Sequence, residues 1–114
     1  MKAKGTQFFH GTGGALQGDT VRPHDPKMKI RPDSTPTPEN TLAFATTSSD
    51  EAHAYAGMRA SAEGRLFGSV YRVSPRTEGL EPPSYSQNLR DPKGLSIEEH
   101  VGFADRAGHK LGAA

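Results

Sequence analysis

The chain has 114 residues, with 14 basic and 13 acidic side chains and a formal net charge of +1, so it is sized for one domain and carries no basic surplus that would argue for nucleic acid. It has no cysteine, which excludes disulfides, thiol nucleophiles and cysteine–zinc sites and fits a cytoplasmic protein. With 32% hydrophobic residues, 13 glycines, 9 prolines and a mean hydropathy of −0.70, the expected product is a loop-rich domain of short strands around a small core.

In chain order, Met1-Lys2-Ala3-Lys4 is charged and lacks the apolar core of a secretory signal. Residues 7–10 read as a first strand, in which Phe8 and Phe9 run into a His10-Gly11-Thr12 turn. A histidine there offers two ring nitrogens, and the glycine lets a ligand come close to the backbone. Gly13 and Gly14 mark a turn, and Leu16 and Val21 are expected core anchors in the connector that follows. Residues 22–40 hold Pro23, Pro26, Pro32, Pro36 and Pro38, which forbid a ladder or a helix and predict a long surface loop. Residues 41–47 read as a second strand. Ser48 and Glu51 then have capping-box spacing, and a helix is expected from Ser49 or Asp50 to about Ala62, ahead of Gly64. Residues 68–73 form the strongest strand signal, with Val70, Tyr71 and Val73, stopped by Pro75. Residues 76–94 read as loop. Residues 95–103 read as a last strand with Glu98 and His100 on its polar face, and residues 104–114 as a polar tail that frays. No apolar run approaches the roughly 18–20 residues a membrane helix needs. The histidines, His10, His24, His53, His100 and His109, show no metal-ligand spacing, so no metal site is expected.

Three separated pieces stand in a recognisable order: His10-Gly11-Thr12 after an aromatic pair, Phe44-Ala45-Thr46 ahead of a helix bearing Tyr55, and Ser96-Ile97-Glu98 opening a late strand. This resembles the ADP-ribosyltransferase superfamily in its histidine–tyrosine–glutamate, diphtheria-toxin-like branch. Tyr55 lies eleven positions after Phe44, the spacing of the two aromatics in that branch. The layout is closer still to the rifampin ADP-ribosyltransferases. Gly18-Asp19-Thr20-Val21, Asp50-Glu51-Ala52, the segment from Gly68 through Val70-Tyr71-Arg72-Val73 to Pro75, and Val101-Gly102 each look like a segment of those enzymes. The resemblance spans roughly residues 8–103 as scattered short motifs. One departure is Phe44, which stands where the family usually has its first tyrosine and lacks the hydroxyl.

The resemblance implies a compact α+β domain with two small packed β-sheets around an NAD cleft and one main helix. It implies a mono-ADP-ribosyltransferase that cleaves the nicotinamide–ribose bond of NAD and passes ADP-ribose to a small molecule, rifamycin-like, or to a protein. NAD hydrolysis in the manner of a toxin and binding without turnover are the alternatives. In this reading His10 hydrogen-bonds ribose hydroxyls, the Gly11 backbone and Thr12 hold the carboxamide end, Phe44 and Tyr55 sandwich the nicotinamide, and Thr46 supports the site. The acid that stabilises an oxocarbenium-like transition state is Glu98 by the toxin pattern or Glu81 by the rifampin pattern. A strand holds a carboxylate more rigidly than a proline-rich loop, which favours Glu98. Arg22 or Arg31 would meet the pyrophosphate. Each residue also has a plainer role: Phe44 and Tyr55 as core aromatics, Thr46 as part of the helix start, and Glu98 as a solvated strand residue.

Overall fold

The structure is a computed structural model that describes residues 7–16, 18–22, 43–84 and 86–113. The expected proline-rich loop, apart from Arg22, and the beginning of the expected 41–47 strand lie outside these residues. Seven strands and one helix are described: β1 (Phe8–Thr12), β2 (Thr20–Val21), β3 (Ala43–Thr46), α1 (Ser49–Ala62), β4 (Gly68–Pro75), β5 (Asn88–Asp91), β6 (Leu95–Ala104) and β7 (Lys110–Ala113). The class is α+β.

The strands form one antiparallel sheet in the order β2-β6-β4-β1-β3-β5, with β7 also on β6. The expected two sheets are therefore one, because β4 is paired along its length with both β1 and β6. The sheet has to curl. β5 and β6 lie four places apart in the order, roughly 19 Å if flat, yet only Pro92, Lys93 and Gly94 join them, a span of at most about 14 Å. Phe8, Tyr71, Val73, Leu89 and Leu95 fill one face as the main core, with Val21, Ala43 and Ala45.

Helix α1 covers the other face. Apart from His53, its buried residues are small, Ala52, Ala56, Gly57 and Ala60, so its backbone can approach the strands closely. Gly11 is what that approach requires: a Cβ there would strike the Ala52 carbonyl and lie 2.9 Å from the Ala56 nitrogen. The helix begins where its sequence says, with Ser48 Oγ accepting from the Glu51 N–H at 3.1 Å. It ends in a Schellman turn. Gly64 takes φ +71°, Arg65 N–H reaches Ala60 O at 2.8 Å, and Gly64 N–H reaches Ser61 O at 3.2 Å.

Two segments differ from expectation. Within the expected loop 76–94, β5 pairs with β3 over four residues. Asn, Arg and Asp carry little strand propensity, so the segment is held by what surrounds it. Asp91 is fully buried and receives hydrogen bonds from Thr77 N–H and Lys93 N–H, each at 2.8 Å, and from the Thr77 hydroxyl. Burial alone would raise the Asp91 carboxyl; these hydrogen bonds outweigh it and hold it below its ordinary value. The polar tail, expected to fray, turns back at Asp105, whose carboxylate accepts from Ala107 and His109 N–H, and continues as β7 on β6. Lys110 then reaches Asp50 at 2.8 Å.

Candidate functional site

The sheet has a weak seam. β1 pairs with β4 through all five of its residues but with β3 only at Phe9 and Thr46. Beyond that pair the two strands part, and a side chain takes over from the ladder: His10 Nδ1 lies 2.6 Å from the Phe44 carbonyl oxygen. Because a carbonyl only accepts, Nδ1 is the donor in this bond. His10 is 6% exposed; this bond holds its ring, and Tyr71 stands opposite it on β4.

β1 borders a cavity of about 450 Å³ that it shares with β2 and α1, a size suited to a small-molecule ligand. His10, Gly11, Thr12 and Tyr55 line it, together with Leu16, Val21, Arg22, Arg59 and Glu63. Thr12 Oγ1 donates to Gly14 O at 2.7 Å and accepts from Gly14 N–H at 3.2 Å, which shapes the lip after the strand. Tyr71 Oη accepts from the Leu16 N–H at 2.9 Å and pins the opposite wall. Burial pushes the Tyr55 phenol above its ordinary value.

The expected residues are only partly gathered. His10, Gly11, Thr12 and Tyr55 meet at this one cavity. Phe44 stands behind it: its ring touches Tyr55 at 5.9 Å between centroids, tilted 39°, and the Arg90 guanidinium lies 5.1 Å over it. A flat ring sandwiched between the two would need about 7 Å, two contacts of about 3.5 Å each, so no ring fits between them in this arrangement. Thr46 is fully buried. Its hydroxyl accepts from Ser48 N–H at 3.1 Å and lies 3.5 Å from Glu51, so it builds the helix start.

Neither expected acid lines the cavity. The β4–β6 register skips a residue, with Arg72 facing Glu99 and Val73 facing Ile97, and Glu98 is the extra one. Its carboxylate is exposed and accepts from Ser74 Oγ at 2.6 Å. Glu81 is exposed on a second cavity of about 420 Å³, with Leu80, Asn88, Leu89 and Arg90. Among the described residues, the carboxylate lining the His10 cavity is Glu63, which the sequence reading passed over. Tyr55, Arg59 and Glu63 recur every fourth residue, which puts them along one side of a helix, and that spacing was the available signal.

Among the described residues, no group of three or more His, Cys, Asp or Glu is placed to hold a metal, and no helix is long and apolar enough to cross a membrane. Comparison with protein-family models and with curated proteins returns no match.

Proposed function

We propose that this chain is an NAD-dependent mono-ADP-ribosyltransferase acting at the cavity that β1 shares with β2 and α1. The observation that carries the reading is convergence: His10-Gly11-Thr12 and Tyr55, more than forty positions apart, line one cavity. The β1 backbone is free of a β3 ladder beyond Phe9, and the imidazole is held in one orientation.

The chemistry follows from these parts. Cleaving the nicotinamide–ribose bond leaves positive charge on the ribose and a neutral leaving group, as in glycoside hydrolysis. The His10 imidazole hydrogen-bonds a ribose hydroxyl and fixes the sugar in the geometry for reaction. The Gly11 backbone, unpaired toward β3, can meet the carboxamide. The Tyr55 ring, which lines the cavity, covers the nicotinamide. Arg22 sets an exposed guanidinium at the cavity, the charge and fork geometry that suit a pyrophosphate. The acceptor is a small molecule or a protein, and the cysteine-free composition fits a cytoplasmic setting.

A second reading has its own observation. The Phe44–Tyr55 contact and the placement of Glu98 and Glu81 away from the cavity favour a domain that binds NAD or ADP-ribose without turning it over. Incubating the purified protein with NAD and measuring free nicotinamide separates the two. Release that depends on an added acceptor supports transfer, and release in water alone supports hydrolysis. Tight binding with no release under either condition sinks the enzyme reading.

A further inference from the structure

Glu63 is the carboxylate among the cavity's lining residues, and it is held by a built arrangement rather than left on a free side chain. It is the C-cap of α1, so the Schellman turn fixes its backbone. Its two oxygens are held separately: Arg59 Nη2 sits 3.2 Å from Oε2 and Arg65 Nε sits 3.4 Å from Oε1. The carboxylate rests against Gly13, where an added Cβ would come within 2.7 Å of Glu63 Cδ. It is thereby set over the turn that directly follows His10-Gly11-Thr12. Its side chain keeps 34% of its surface open and that of Arg59 keeps 12%, and both residues line the cavity.

We propose that Glu63, rather than Glu98 or Glu81, is the carboxylate that serves bond cleavage in this site; the inference rests on the NAD reading above. Charge that builds on the ribose in the transition state is stabilised by an anionic oxygen already fixed in place. As the C1′–N bond breaks, its electron pair leaves with nicotinamide. The acceptor's lone pair closes on C1′, and the acceptor's proton passes to the Glu63 carboxylate and then to solvent. Arg59 and Arg65 position that carboxylate. Glu98 has its own work outside the cavity, accepting from Ser74 at the strand bulge.

The test compares Glu63→Gln, Glu98→Gln and Glu81→Gln in the full chain. Nicotinamide release is read by chromatography, NAD binding by calorimetry and the fold by circular dichroism. The expected result is a loss of at least about 10²-fold in release for Glu63→Gln, the usual worth of a positioned acid–base group, with NAD affinity within threefold of wild type. Glu98→Gln and Glu81→Gln stay within fivefold in release. Glu63→Asp keeps the charge and draws the oxygens back, so it falls between wild type and Glu63→Gln; it also decides the matter if the amide does not fold. A Glu63→Gln protein that turns over like wild type, or a loss found at Glu98 or Glu81 instead, overturns the inference while leaving the NAD reading intact. A wild type that releases no nicotinamide overturns the NAD reading and this inference with it.

Discussion

The two flanks of β1 are built differently. Toward β4 every residue of the strand is paired; toward β3 only Phe9 is. The closed flank carries the core, with Phe8 opposite Val73 and His10 opposite Tyr71. On the open flank a histidine side chain stands in for the missing ladder, and the same histidine lines the cavity. The same five residues thus supply the fold's most continuous pairing on one side and a strand edge mostly free of its ladder on the other. A ligand site placed beside a fully zipped strand inherits that strand's rigidity, which is what precise placement of a reacting sugar requires.

Removing the side chain that bridges the open flank should have the largest effect. His10→Ala takes away the proposed ribose partner and removes the ring nitrogen that meets the Phe44 carbonyl. Nicotinamide release should fall about 10²–10⁴-fold, and urea denaturation should show a loss of about 1–3 kcal/mol. Gly11→Ala probes the strand from the helix side. Its Cβ would meet the Ala52 carbonyl, so a loss of about 3 kcal/mol, at the upper end of overpacking costs, is expected in the same titration. An activity loss without that destabilisation would mean the helix can yield at this point.

The edge of the sheet beyond the open flank can be tested through Asp91. Its folded value is depressed, so its contribution to stability is present above the ordinary carboxyl value of about 3.9 and is lost as pH falls through the lower folded value. Asp91→Asn should cost about 1–3 kcal/mol near neutral pH, and melting temperatures below pH 4 should fall less steeply for the variant than for wild type. Equal slopes would show that β5 is held by its ladder alone. Tyr55→Phe should matter least, since the ring and its contact with Phe44 remain. NAD affinity should stay within about threefold, under 1 kcal/mol, whereas Tyr55→Ala, which removes the stacking ring, should cost about 0.5–1.5 kcal/mol beyond lost burial.

How far these features could be read from the sequence depends on how local their causes are. Helix α1 was legible because its limits are written in neighbouring residues, Ser48 and Glu51 at one end and Gly64 at the other. β4 and β6 were legible from β-branched and alternating residues. β5 was not, because Asn88-Leu89-Arg90-Asp91 is a strand only through β3 beside it and Thr77 beneath it. β7 was missed for the same reason, since it depends on the turn at Asp105 and on β6 as a template. At the site, the family resemblance pointed to His10 and Tyr55, and both line the cavity. The direct contact between Phe44 and Tyr55 and the register skip that turns Glu98 toward Ser74 are products of packing, and no single motif encodes them.

The central claim is that the cavity bordered by β1, β2 and α1 is where NAD binds, and amide chemical-shift mapping of ¹⁵N-labelled protein titrated with NAD tests it most directly. The account predicts shifts at Gly11, Thr12, Gly13 and Tyr55, with Leu80, Glu81 and Leu89 at the second cavity unmoved. Shifts confined to the second cavity, or a spectrum that NAD does not change, would contradict it.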